Sequence, residues 1–304
     1  MAEKGLFVAR AGCLAAFALA LGLLAMSLPA YVAYLRHLSP GAPDIYTGQL
    51  TTEGLAHMQA SGLSLSAYIA IQAVIKALFV AVWLLVGAMI FWRKSDDLFA
   101  LFVAFTFATF SISFGYWAQT VLPPASGLLK GLNVVSGVCL SLLLPLFPDG
   151  RFVPRWSKWL LIPTTLFHQG LNAFFPTLPA ASPLLSTLDN LLFIAGLPIL
   201  AAFQIYRYRR VSTSVQRQQT KWAIFGFVLA MIGFSLALFL GSSITEARQP
   251  GTPLFFAQQA LVFVSLLCIP LSIGAAIQRS HLWDIDILIN RALVYTLLTG
   301  CVVG

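Results

Sequence analysis

Long apolar runs follow one another through this chain with almost no charge inside them. Backbone placed in lipid has no water to bond, so a run of about 20 apolar residues must satisfy its own N–H and C=O groups as a helix. Eight runs are long enough to cross a bilayer, at 11–35, 67–92, 98–120, 127–147, 157–179, 185–206, 222–243 and 254–277, and a partial ninth occupies 292–304. None shows the period-two alternation of a membrane β-barrel strand. Of the 304 residues 9% are charged, against about 25% in an ordinary soluble domain. The sequence therefore predicts an all-α, polytopic transmembrane helix bundle with eight full spans and a truncated ninth, and no soluble domain.

The basic residues orient the bundle. With the N-terminus cytoplasmic and the spans alternating, the inner segments hold Lys4, Arg10, Arg93, Lys94, Arg151, Arg155, Lys158, Arg207, Arg209, Arg210, Arg217, Lys221, Arg279 and Arg291. Only Arg36, Lys76, Lys130 and Arg248 fall outside or within spans. This agrees with the positive-inside rule at every loop. The net charge of +8 follows from topology and anionic lipid headgroups, so it calls for no nucleic acid. The first run begins like a signal peptide, with Lys4 and Arg10 ahead of it, but continues apolar to Leu35, which reads as an uncleaved anchor. Cys13, Cys139, Cys268 and Cys301 all lie in apolar runs, where cysteine packs as a small hydrophobe and implies neither disulfides nor metal.

Catalytic patterns are missing from the sequence: no phosphate-binding glycine loop, no HExxH, no GxSxG. No cofactor is expected. The polar residues within the runs carry more information. Lys76 lies near mid-depth of the second run, where a lone ammonium costs about 2.5–3.5 kcal/mol on the insertion scale, and Asp189 is the acid that can answer it. His168 and Asn172 stand four apart on the fifth run and share a helix face. One reading is a polar pocket among the second, fifth, sixth and eighth helices, formed by Lys76, His168, Asn172 and Asp189, that binds an ion or a signal such as a peptide or lipid-like molecule. The other is plain interhelical hydrogen bonding, at about 0.6 kcal/mol per contact. Pro145, Pro163, Pro198 and Pro270 sit in or near spans, as kinks or hinges. The one sizeable outer loop, Arg36 to Leu65, is too short to fold as a domain alone. A transporter or channel-like protein and a membrane scaffold are the alternatives, although no repeat relates the two halves.

Three segments on the inner side carry a resemblance. They are Phe147-Pro148-Asp149-Gly150-Arg151-Phe152-Val153-Pro154-Arg155-Trp156, then Arg217-Gln218-Gln219-Thr220-Lys221-Trp222, then Leu282-Trp283-Asp284-Ile285-Asp286-Ile287-Leu288-Ile289-Asn290-Arg291-Ala292-Leu293-Val294-Tyr295. Together they resemble the membrane sensor region of multi-span bacterial sensor histidine kinases of the competence and quorum-sensing type. The resemblance covers about residues 140–304. It implies a signal-input module in the bacterial plasma membrane, a homodimer, and a chain that stops before the kinase core through which a response regulator would be reached. The acidic and apolar strip around Asp284, Asp286, Asn290 and Arg291 has a reading of its own: with Arg210 and Arg217 it would couple the bundle to an output domain, the acids meeting the basic segment Arg207–Lys221, and the alternative is a plain capped turn between two spans.

Overall fold

The computed structural model describes residues 2–41, 44, 47–114, 116–174 and 182–278. These form ten α-helices and short 3-10 turns, with no strand among them. The helices are α1 (Ala2–Tyr34), α2 (Thr52–Ala60), α3 (Leu65–Arg93), α4 (Leu98–Ser113), α5 (Trp117–Val121), α6 (Ser126–Leu146), α7 (Lys158–Phe174), α8 (Pro183–Arg210), α9 (Ser214–Ser243) and α10 (Pro253–Gln278). Among the described residues, five helical segments are long and apolar enough to cross a membrane: Glu3–Tyr34, Leu65–Arg93, Pro123–Leu146, Gln216–Ser243 and Pro253–Ile277. Their outward faces carry large apolar side chains such as Leu21, Leu85, Phe239 and Val264, as a lipid-facing surface requires.

Local chemistry sets the helix starts. A side-chain oxygen accepts from an otherwise orphaned backbone N–H at Thr51 (to Gly54, 3.1 Å), Ser64 (to Ala67, 3.2 Å) and Asp97 (to Phe99, 2.8 Å). At the start of α9, Thr213 and Gln216 exchange bonds as a capping box.

The expected span 98–120 is not one helix. Helix α4 ends at Ser113, Phe114 turns extended, and Tyr116 takes a left-handed φ of 57° before the five-residue α5. Sixteen residues make about 24 Å of helix, short of a hydrocarbon core of about 30 Å. The break is stabilised from α6: Asn133 donates to the Ser113 carbonyl at 3.2 Å, and the Ser113 and Ser136 hydroxyls lie 2.7 Å apart. Helix α7 covers 158–174 of the expected 157–179, of which residues 175–179 lie outside the described residues; α8 runs on to Arg210, past the expected end at 206, and α9 begins at Ser214, ahead of the expected 222. The partial ninth run lies outside the described residues.

Helix α3 lies at the centre, packed on α1, α4 and α10; α4 in turn packs on α6, and α6 on α7 and α8. One end of the bundle, the basic end, brings together the start of α1, the 93–97 turn and the loop after α6. There Arg10 donates to the Ser95 carbonyl at 2.8 Å, and Phe99 meets Phe147 edge to face at 5.9 Å. Exposed Trp92, Trp156 and Trp159 mark this end, the depth at which tryptophan gathers in membranes. The other end, the loop end, carries residues 35–64.

Candidate functional site

Helix α3 presents Tyr68, Gln72 and Lys76 at four-residue spacing, one above another on a buried face. The face meets α10, where the side-chain amides of Gln72 and Gln259 exchange two hydrogen bonds of 3.0 and 2.9 Å. One turn deeper, the Lys76 ammonium sits 5.0 Å from the centroid of the Phe263 ring, within cation–π range. Beneath it begins an aromatic tier of Phe79, Trp83, Phe107, Phe110, Phe114 and Phe263, in which Phe79 and Phe263 meet edge to face at 4.9 Å. Polar above and aromatic below, this column runs down the middle of the bundle.

The loop end closes over the column. Among the described residues of 36–64, Thr47, Leu50 and Met58 are fully buried. Tyr31 of α1 donates to the Thr47 carbonyl, and Tyr68 of α3 donates to the Gly48 carbonyl at 2.6 Å. Asp44 holds the turn together by accepting from the Thr47 hydroxyl at 2.7 Å, and Gln49 donates to the His37 carbonyl at 3.0 Å. Gly48 has a φ of 76°, and a Cβ there would stand 3.2 Å from the Tyr68 hydroxyl, so both conformation and space select glycine. Helix α2 is fastened by a close backbone approach between Gly54 and the Pro250–Gly251 turn before α10. The cap thus bears on α1 and α3 through backbone carbonyls accepting from two tyrosines, and abuts the turn before α10.

Of the four predicted binding residues, Lys76 and His168 have described side chains. Lys76 is buried in the column. His168 is half-buried on α7, which packs on α6 and α8. The backbones of Asn172 and Asp189 are helical on α7 and α8, while their side chains lie outside the described set, as does any pairing of Asp189 with Lys76. Sequence reasoning passed over Tyr68, Gln72 and the cap. The signal was present, since Tyr68, Gln72 and Lys76 recur every four residues in an otherwise apolar helix.

At the basic end, the buried Arg207 holds the turn after α6. Its guanidinium donates to the Pro145 carbonyl at 3.1 Å, to the Arg151 carbonyl at 2.8 Å and to the Asp149 carboxylate. Gln204, one turn earlier, donates to the Leu144 carbonyl. Of the predicted coupling residues, Arg210 and Arg217 are exposed, and Arg217 stacks over the Tyr208 ring at 5.6 Å. Asp284, Asp286, Asn290 and Arg291 lie outside the described residues. Among the described residues no group of three or more His, Cys, Asp or Glu side chains is placed to hold a metal ion.

Compared with known proteins, the chain matches no family model, no curated sequence and no solved structure.

Proposed function

We propose that this chain is the membrane-embedded signal-input module of a sensor histidine kinase, and that the capped polar column is where the signal acts. The carrying observation is the cap itself: residues 36–64 bond to α1 and α3 and abut the start of α10 over a buried Gln72–Gln259–Lys76 column. A ligand that displaced either carbonyl from its tyrosine would change the packing preference of α3 against α10. Both helices run on to the basic end, so differential affinity of a signal for two packings would reach an output domain there. In this reading the N-terminus is cytoplasmic, the bundle crosses a bacterial plasma membrane with α4 and α5 together making the third crossing, the protein works as a homodimer, and the signal is a peptide or lipid-like molecule entering at the loop end. Recognition of the family rests on the three inner motifs.

The test has two steps. The coding sequence following codon 304 should encode a helix with a phospho-accepting histidine and an ATP-binding domain. Full-length protein in nanodiscs should then autophosphorylate at a rate that Lys76→Met and Gly48→Val both change. Absence of kinase coding capacity, together with solute uptake by proteoliposomes of the chain, would refute this reading in favour of a transporter.

A further inference from the structure

Beyond signal input, the basic end carries a second feature. Arg151, Phe152, Arg155 and Lys158 line an open cleft of about 360 Å³ between the end of α6 and the start of α7. Arg151, Arg155 and Lys158 are all exposed, so three cations share one concavity at the surface. The acid in this turn, Asp149, is engaged by Arg207 and by the Arg151 backbone N–H at 3.1 Å, leaving the cleft a surplus of positive charge. Its rim is aromatic and exposed. Trp156 is held edge to face against Phe203 of α8 at 5.5 Å, and the Lys158 ammonium lies 5.1 Å from the Trp159 ring centroid.

We infer that this cleft binds a phosphate group, that of an anionic membrane lipid, with Arg151, Arg155 and Lys158 around the headgroup and Trp156 and Trp159 against the glycerol and upper acyl region. Several observations favour a lipid over a free anion. The cations stand beside two exposed tryptophans at one level, the arrangement expected at the boundary between headgroups and hydrocarbon. Helix α7, which follows the cleft, turns Leu160, Leu166 and Phe167 outward. The site has a mechanical link as well. Arg207 of α8 holds the carbonyl of Arg151, so an occupied cleft would stiffen the α6–α8 junction.

The experiment uses the whole chain in nanodiscs and in detergent. Native mass spectrometry should show a phosphatidylglycerol molecule retained where phosphatidylcholine is lost, and brominated phosphatidylglycerol should quench tryptophan fluorescence more than brominated phosphatidylcholine. Each charge removed should weaken retention about fivefold, so R151Q/R155Q/K158Q should abolish it, while R93Q/K94Q, on the neighbouring turn, should leave it unchanged. Equal loss in both variants, or equal quenching by both lipids in the unaltered protein, would overturn the site; the quenching arm needs no variant to fold. Competition by inorganic phosphate, with no preference among lipids, would assign the same cations to a free phosphate and overturn the lipid source.

Discussion

At the scale of residues, two side chains show how burial turns polarity into structure. Gln72 and Gln259 satisfy each other across α3 and α10. Removing one leaves the other buried without its partner, whereas removing both leaves an apolar seam. Gln72→Leu and Gln259→Leu should each lower stability by about 1 kcal/mol, and the double variant should recover most of the loss. A double-mutant cycle in detergent, read by thermal or denaturant unfolding, should give a coupling of about 0.6–1.7 kcal/mol; zero coupling would mean the pair contributes only filling. Arg207 is a sharper case, because it is 2% exposed and serves a carboxylate and two carbonyls. Arg207→Leu should cost about 3 kcal/mol. Arg207→Lys should recover only part of that, since an ammonium cannot reproduce the planar fork. Nothing in composition singled out Arg207 from Arg209 and Arg210. Its role follows from α8 continuing past 206 so that its last turn faces the loop after α6.

At the scale of elements, α9 and α10 form the tightest seam. Ala223, Gly226, Ala230, Gly233, Ala237 and Gly241 recur at three- and four-residue spacing along α9. The facing residues of α10 come so close that a Cβ at Gly226 would collide with Ser272 and one at Gly233 with Ser265. Gln258 fills the place opposite Gly241 and donates to the Ala237 carbonyl at 3.0 Å. Small residues let helix backbones approach where lipid supplies no hydrophobic drive for association. Gly233→Leu should therefore destabilise by about 1–3 kcal/mol or prevent assembly, whereas leucine at the exposed Val228 should be neutral; unfolding midpoints of the two variants compare them directly. This stripe was legible in the sequence by spacing alone. The break at Phe114 was not: residues 98–120 carry no charged side chain to interrupt the run, and the chain leaves the helix where Asn133 and Ser136, twenty or more positions later, receive its end.

At the scale of the molecule, the ends differ in chemistry, and orientation in the membrane should follow. In sealed right-side-out vesicles, an impermeant maleimide should label a cysteine placed at Gly41 and spare one placed at Val211. The reverse pattern would invert the proposed topology while leaving the fold untouched. The composition and the apolar runs by themselves determined that this chain forms helices suited to a membrane, because backbone in hydrocarbon has so few ways to bond itself. They determined too where many helices begin, because a capping oxygen acts within three residues of its own position. Tertiary structure alone decided that α4 stops short, that residues 36–64 fold down over Gln72 and Lys76, and that Arg207 rather than its neighbours holds the turn at Asp149. Those outcomes depend on contacts between residues tens to hundreds of positions apart, and a polar group in an apolar run carries no mark of the partner that will satisfy it until the helices have packed.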